Sequence, residues 1–173
     1  MKLAAFFLTC LLALSCVSHE RCGPTNCSGC CNPNDLCVEN DPHVCSPAGA
    51  ACAECDQFSI CVSGGCVRPP FFMGPATVDF GQVALGTTGS AMLTFTNGGD
   101  QALVIRDAGV EPPTEFSGFG VSADAIRTVA PKDTATIVLT FSPPSIGGFG
   151  GTLIFDSNAG EPLYQPQVLG TGM

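Results

Sequence analysis

The segment TATIVLTF, residues 134–141, decides the fold class of the C-terminal part of the chain. An apolar residue occupies every second position, and three Thr and one Val stand between these residues. The segment AMLTFT, residues 91–96, alternates in the same way. Such alternation is typical of a β-strand that has one face in a core and one face in solvent. Both segments are therefore predicted to be half-buried strands.

More strands are predicted along residues 71–173, which are rich in Thr, Val, Phe and Gly and carry turn signals roughly every eight to twelve residues. The ranges are 78–83, 102–110, 116–121, 151–156 and 165–170. Asn97-Gly98 and Gly99-Asp100 predict turns with positive φ between two of these strands. Burial of a Phe, Leu or Ile side chain is worth about 1.5–3 kcal/mol. The region is therefore predicted to be a mainly β, self-sufficient sandwich.

The distribution of cysteine divides the chain into two parts. All 12 Cys residues precede Val67, and Pro69-Pro70 follows at once with the extended backbone that consecutive prolines enforce. The predicted regions are a signal peptide at 1–15, a lipidated tether at 16–21, a disulfide-rich module at 22–68, a linker at 69–74 and the β-sandwich at 75–173.

The N-terminus has the pattern of an export signal, because Lys2 is followed by the apolar run 3–14. The end of the run, LALSC at 12–16, resembles the lipobox of bacterial lipoproteins, which implies that Cys16 receives a lipid. By similarity to enterobacterial sorting, the absence of Asp after Cys16 implies the outer membrane or cell surface. An ordinary signal peptide, giving a secreted or periplasmic protein, is the alternative.

Ten cysteines remain after Cys16, and an even number in an oxidising compartment predicts five disulfides. They are Cys22, Cys27, Cys30, Cys31, Cys37, Cys45, Cys52, Cys55, Cys61 and Cys66. Their pairing does not follow from spacing. The neighbours Cys30 and Cys31 are expected to reach different partners. A weak repeat between residues 31–38 and 55–62 favours two small stapled knuckles.

Metal and cofactor sites are not expected. Cys27-x2-Cys30 and Cys52-x2-Cys55 have the form of zinc knuckles or a redox motif, but exported thiols oxidise to disulfides first. Polar residues at 32–41 lack the spacing of a calcium-binding EF-hand.

Catalysis and nucleic-acid binding are also not expected. The 15 acidic residues exceed the 6 Lys and Arg, and the net charge of −9 disfavours nucleic acid and anionic lipid surfaces. Residues 71–173 contain neither His nor Cys, and the chain has only His19 and His43, so no Ser-His-Asp arrangement fits in one domain. The protein is predicted not to be an enzyme. The acidic residues around Pro112-Pro113 are interpreted as a solvated rim: Asp107, Glu111 and Glu115.

Several motifs in the C-terminal part occur in a characteristic order. They are PATVDFGQVALG (75–86), LTFTNGG (93–99), LVI (103–105), Pro131, FSP (141–143) followed by Gly147, and GTG (170–172). Together they resemble the ASH or choice-of-anchor-D domain. The resemblance implies an immunoglobulin-like, MSP-type sandwich of seven to eight strands that serves as a non-catalytic interaction or structural module.

Two positions depart from the family pattern: Lys132 stands where Gly commonly follows the proline, and Ala159-Gly160 interrupts a usual Ser-Asn-Asp-Pro stretch. Within the first motif, Phe80 is predicted to pack in the core, Gly81 to bend the chain and Asp79 to cap that turn. The segment CGPTNCSGCC at 22–31 resembles CGPxNCxGCC cassettes of bacterial surface lipoproteins, which implies no catalytic role.

The sequence thus predicts a non-catalytic cell-envelope lipoprotein that displays an immunoglobulin-like interaction or structural module. Its partner would be a protein or an envelope component. One alternative is a carbohydrate- or matrix-binding adhesin, which the absence of Trp and the single Tyr164 disfavour. A second is a disulfide-rich inhibitor that presents a stapled loop at 41–47.

Overall fold

The computed structural model of the protein describes residues 21–160 and 162–173. The signal peptide expected at 1–15, Cys16 and His19 lie outside the described residues. Within the described ranges, no helix has the length and apolar character needed to cross a bilayer.

The cysteine-rich part contains six short strands: β1 (Cys30–Cys31), β2 (Cys37–Val38), β3 (Val44–Cys45), β4 (Ala53–Glu54), β5 (Ile60–Val62) and β6 (Gly65–Val67). They form three antiparallel pairs, β1 with β2, β3 with β4, and β5 with β6. Pairs of two or three residues supply few backbone hydrogen bonds, so covalent links must hold this part together.

All ten cysteines of the module are paired in five disulfides, as predicted: Cys22–Cys31, Cys27–Cys37, Cys30–Cys52, Cys45–Cys61 and Cys55–Cys66. Cys30 and Cys31 have different partners, as expected. Each loop closed by a disulfide overlaps the next one along the chain. Two disulfides close residues 22–37 and two close residues 45–66, in agreement with two stapled knuckles, and the Cys30–Cys52 link joins these two halves.

The sandwich has nine strands: β7 (Phe72–Met73), β8 (Thr77–Val83), β9 (Gly89–Asn97), β10 (Leu103–Glu111), β11 (Phe119–Val121), β12 (Arg127–Val129), β13 (Thr134–Phe141), β14 (Gly147–Ser157) and β15 (Gln167–Gly172). One sheet has the order β12-β10-β14-β15-β8 and the other β11-β13-β9-β7. Among the strand pairs that the structure describes in the sandwich, only β15 and β8 run parallel. The immunoglobulin-like sandwich is thus confirmed. Seven to eight strands were expected, and the two short edge strands β7 and β12 bring the number to nine.

The core lies between the two sheets, and the alternation in residues 91–96 and 134–141 indicated part of its lining. The fully or almost fully buried side chains include Leu93, Phe95, Leu103, Ile105, Ile137, Leu139, Phe141, Leu153 and Val168. Along β13 exposed or half-buried and buried positions alternate strictly from Thr134 to Phe141. The strand pairs with β9 over its whole length, so TATIVLTF is a central strand.

The segment around Gly81 bends as predicted. Gly81 has a φ of +65°, and its backbone N–H donates to Asp79 Oδ1 at 2.8 Å. The register with β15 shifts there by one residue, which is a β-bulge. The half-buried Phe80 ring lies 5.6 Å from Phe119 and 5.7 Å from Phe141, so it packs against the core.

The prediction of positive-φ turns at residues 97–100 is wrong, because neither Gly98 nor Gly99 has a positive φ. The strands that flank them, β9 and β10, lie in different sheets and do not form a hairpin. Asn97 organises this crossing instead. Its buried amide donates to the carbonyl oxygens of Gln101 and Val129 at 2.7 and 3.2 Å, and its Oδ1 accepts from Gly99 N at 3.0 Å.

The strand predicted at 116–121 begins with a short helix, α1 (Thr114–Ser117), and only β11 is extended. Pro113 precedes the helix and has no N–H to donate to a strand neighbour. Its carbonyl accepts from Phe116 N at 2.9 Å, and Gly118, with a φ of +75°, ends the helix.

Residues 69–74, expected to be a linker, contain β7 and join the sandwich. Phe72 lies opposite Asn97 of β9, and Met73 lies opposite Thr96. The ring of Phe72 packs 5.1 Å from Phe95. The β-structure of the sandwich thus starts before the expected boundary at Pro75, because Phe72 has an apolar side chain that the sandwich can bury.

Candidate interaction surface between the module and the sandwich

Arg68 connects the cysteine-rich module with the sandwich. Its backbone N–H donates to Asp100 Oδ2 at 3.0 Å, and its carbonyl accepts from Asp100 N at 2.9 Å. The guanidinium group points to the module, where Nη2 donates to Asp56 Oδ2 at 2.9 Å. The same group lies 5.8 Å from the centre of the Phe58 ring, within the range of a cation–π interaction.

A tight turn at Asp56 holds Phe58 in place. The Asp56 side chain accepts from Phe58 N at 3.0 Å, and the Asp56 carbonyl accepts from Ser59 N at 3.0 Å. Hydrogen bonds from the Ser59 side chain and from Arg68 lower the pKa of the Asp56 carboxyl, which keeps it ionised. Phe58 is the only Phe, Tyr or Trp of residues 22–67, and the turn leaves it 54% exposed.

A small apolar cavity of about 210 Å³ lies beside this turn. It is lined by Phe58, Arg68, Pro69, Pro70, Phe71, Gly160 and Pro162. A second, more open depression adjoins it and is lined by His43, Gln57, Phe58, Ser59, Ile60 and Pro162. A third is lined by Asn40, Asp41, Pro42, Ile60, Cys61, Ser63 and Gly64.

These three depressions form a row. The first and second share Phe58 and Pro162, the second and third share Ile60, and the first and third share no residue. Neighbouring depressions therefore meet at Phe58 and at Ile60, which is 41% exposed, and we call these two side chains the ridges of the row. We call this row the junction groove.

The wall of the groove at Gly160 and Pro162 is held on the sandwich. Gly160 N donates to the Pro70 carbonyl at 2.8 Å. Two residues after Pro162, the Tyr164 hydroxyl donates to the Pro75 carbonyl at 2.9 Å, and the Tyr164 ring stacks on Phe72 with centroids 5.2 Å apart. Burial raises the pKa of Tyr164 to about 12. The wall is therefore fixed by aromatic packing and hydrogen bonds.

The module side of the groove is acidic. Residues 22–67 contain no Lys or Arg, and their acidic residues are Asp35, Glu39, Asp41, Glu54 and Asp56. Asp41 lines the third depression, where its Oδ1 accepts from His43 N and Val44 N at 2.7 Å each. These two backbone hydrogen bonds lower the pKa of Asp41, so its negative charge persists at neutral pH.

The residues singled out from sequence are dispersed in the structure. His43 and the start of the 41–47 loop line the groove, whereas Asp107 and Glu111 line a separate shallow depression on β10. The Sγ atoms of Cys22, Cys27 and Cys31 lie within 4.8 Å of one another, but all three are bonded in disulfides. Cys16 lies outside the described residues.

Sequence reasoning missed the roles of Phe58, Arg68 and Pro162. Phe58 carried a usable signal, because a lone aromatic residue in a small polar module has no core of its own to join. Arg68 is also the first cation after a long stretch without Lys or Arg. Nothing in the local sequence indicates that Pro162 lines the same cavity as Phe58.

Residues 66–162 match the model of the ASH family, described as Abnormal spindle-like microcephaly-assoc'd, ASPM-SPD-2-Hydin. No curated protein matches the chain. The match to the family begins before β7, in agreement with the inclusion of that strand in the sandwich.

The chain is similar to several solved structures at low sequence identity. A protein of unknown function from Porphyromonas gingivalis W83 is 16% identical with a TM-score of 0.50, over 59% of this chain and 46% of that one. The ASH/PapD-like domain 7 of human CEP192 is 14% identical with a TM-score of 0.48, over 59% and 84%. The CupB2 chaperone of Pseudomonas aeruginosa is 15% identical with a TM-score of 0.43, over 58% and 55%. The chain thus spans less than half of the Porphyromonas protein.

Proposed function

This chain belongs to the ASH family, and on that premise we propose that it is a non-catalytic cell-envelope lipoprotein that binds another protein or an envelope component. The immunoglobulin-like sandwich is a scaffold on which surfaces and loops can present a binding site. The family assignment supports an interaction module. The binding surface and the non-catalytic role are inferred from the junction groove, and the membrane attachment is inferred from Cys16.

The junction groove is the observation that carries the proposal. Its apolar ridges, Phe58 and Ile60, are exposed, and both neighbouring walls are immobilised by disulfides, hydrogen bonds and aromatic packing. Exposed apolar side chains in a preformed depression gain free energy when a partner covers them. A rigid surface also loses little conformational entropy on binding. The groove therefore has the properties of a binding surface.

The chemistry of the groove supports a non-catalytic role. Every cysteine of the module is oxidised in a disulfide and offers no thiolate nucleophile. Ser59 lines the same depression as His43, but its side chain hydrogen-bonds Asp56.

Attachment to the envelope is proposed to rest on a lipid at Cys16. The lipobox-like LALSC segment supports this modification. The net charge of −9 would repel the protein from an anionic lipid surface, so electrostatics alone would not hold it there. The proposed location is the outer membrane or the cell surface.

Replacement of Cys16 by Ser should therefore move the protein from the membrane fraction to the soluble fraction of the native host. The measurement is fractionation followed by immunoblotting, with Ser18→Ala as a control that keeps the cysteine. A Cys16→Ser variant that leaves the membrane only on addition of detergent contradicts lipid attachment.

Binding through the groove is tested by a photocrosslinking amino acid, benzoylphenylalanine, placed at position 58 in cells of the native host. The matched control is the same amino acid at position 116, because Phe116 is 70% exposed and lines none of the three depressions. We expect discrete crosslinked products at position 58 and none at position 116. Equal products at both positions, or none at position 58, contradict the proposed interaction surface.

A further inference from the structure

The proposed interaction function does not say which kind of partner binds. The lining and the charge of the junction groove indicate the chemistry of that partner. Resting on that function, we infer that the junction groove binds an extended segment of a partner protein in which apolar side chains alternate and Lys or Arg residues lie next to them. The inference rests on the shape of the groove, its apolar ridges and the charge at its module end.

The row of depressions fits an extended segment. Neighbouring depressions are separated by Phe58 and Ile60, which are two residues apart in the chain and therefore no more than about 7 Å apart at Cα. An extended partner presents side chains on one face at every second residue, with a rise of about 3.3 Å per residue. Three depressions would thus accept alternate side chains of a segment of about five residues.

The lining of the depressions selects apolar side chains. In the first depression, Pro69, Pro70 and Pro162 offer no backbone N–H, and the rings of Phe58 and Phe71 complete the lining. The Arg68 guanidinium in this depression is already bound to Asp56. A polar partner side chain would lose its hydrogen bonds to water there and gain few in return.

Charge at the module end selects Lys or Arg. Asp41 Oδ1 accepts two backbone hydrogen bonds, and a carboxylate has about four acceptor sites, so capacity remains for a cation of the partner. Glu54 lies nearby, because it pairs across the β3–β4 ladder with Val44, whose N–H donates to Asp41. No Lys or Arg of residues 22–67 competes for these carboxylates. An anionic partner segment would be repelled at the same place.

The test uses the purified full chain with its disulfides intact and a random twelve-residue peptide library displayed on phage. We expect enriched peptides with net positive charge and apolar residues at alternate positions. The strongest peptides are then synthesised and titrated by fluorescence anisotropy at low and high salt. Their Kd should rise with salt, because screening weakens exposed charge pairs.

Variants locate the peptide on the molecule. Phe58→Ser and Ile60→Ser should each raise the Kd at least tenfold, whereas Phe116→Ser should leave it unchanged. Asp41→Asn keeps an acceptor for the two backbone amides and removes the charge, so it should weaken binding and flatten the salt dependence. Mass measurement after alkylation without reduction verifies that each variant retains its disulfides.

Several results overturn the inference. These are a library that yields no binders, enrichment of neutral or acidic peptides, binding that Phe58→Ser and Ile60→Ser do not change, and Phe58-dependent binding to a glycan array instead of peptides. If position 58 still crosslinks to a partner in cells, the interaction function stands and only the partner chemistry is wrong. If crosslinking fails as well, the proposed function fails with it.

Discussion

At the scale of single residues, Lys132 shows how this chain departs from its family pattern. It has a φ of +65°, in the left-handed region that favours glycine, at the position where the family commonly has Gly. Contacts of the side chain offset part of the cost of this backbone conformation: Nζ donates to the Gly98 carbonyl at 2.7 Å and pairs with Asp100 Oδ1 at 2.7 Å. Both partners of the ion pair are largely exposed, so the pair contributes at most about 1 kcal/mol.

Substitutions at Lys132 should separate backbone strain from the ion pair. Lys132→Gly relieves the strain and loses the pair, so we expect the free energy of unfolding to change by less than about 1 kcal/mol. Lys132→Ala loses the pair and keeps the strain, so it should be less stable than Lys132→Gly by about 1 kcal/mol. Urea unfolding of both variants measures this difference. An alanine variant as stable as the glycine variant would show that the backbone at this position is not strained.

Tyr164 provides a test of burial by pH. It is the only Tyr of the chain, so phenolate absorbance reports on this residue alone. Burial raises its pKa to about 12, whereas an unfolded tyrosine titrates at about 10. The folded state therefore favours the neutral phenol. The stabilisation from burying it is complete below pH 10 and is lost as the pH rises through about 12. We expect a titration midpoint near 12 in the native protein and near 10 in urea.

A native midpoint near 10 would mean that the Tyr164 ring is in solvent and does not stack on Phe72. Phe72→Ala offers a control, because removal of the stacking partner should expose the phenol and lower its pKa. The wall of the junction groove depends on this packing, so the same titration reports on the integrity of the groove.

At the scale of elements, β7 shows that a two-residue strand can belong to a core. Phe72 is in ring contact with Phe95, Phe155 and Tyr164 at 4.8–5.2 Å between centroids. Backbone pairing with β9 places the ring there. The strand thus contributes through one aromatic side chain more than through its hydrogen bonds.

Two truncations should reveal the contribution of β7. A chain that starts at Phe71 keeps the ring of Phe72, whereas a chain that starts at Pro75 loses it. We expect the shorter chain to be less stable by about 2–4 kcal/mol in urea unfolding, slightly less than for the loss of a fully buried Phe, because Phe72 is partly buried. Equal stability of the two chains would assign residues 71–74 to a linker after all.

At the scale of the whole molecule, the two parts are stabilised by different forces. The module depends on five interlocked disulfides, and the sandwich has a continuous apolar core and no cysteine. Arg68 couples them through hydrogen bonds to Asp56 and Asp100. Both carboxyls are exposed, so the coupling contributes little to the stability of the sandwich.

Reduction of the full chain should therefore unfold the module and leave the sandwich folded. Alkylation without reduction should add no label to residues 22–66, and alkylation after reduction should add ten. The unfolding midpoint of the sandwich should shift only slightly on reduction, whereas Leu139→Ala, in the core, should cost about 2–5 kcal/mol. A reduced chain that loses the sandwich signal as fully as the core variant would show that the two parts fold as one cooperative unit.

Local sequence patterns determined the class of the structure. The alternation in residues 91–96 and 134–141 predicted the two central strands, because the side-chain period of an extended chain is two regardless of its neighbours. The even number of cysteines predicted complete disulfide pairing. Asp79 and Gly81 predicted their own turn, because an Asp side chain can cap an amide two residues later. Each of these features depends on residues that are close in the chain.

The tertiary structure alone decided the features that depend on distant residues. Spacing left the disulfide pairing open, and only the folded structure shows that Cys30–Cys52 joins the two stapled halves of the module. Asn97-Gly98 has the chemistry of a hairpin turn, but the strands on either side pack in different sheets, and burial of the Asn97 amide determined the backbone there. The junction groove exists because folding makes Pro162 and Phe58 line the same depression, and no pattern within either segment encodes that placement.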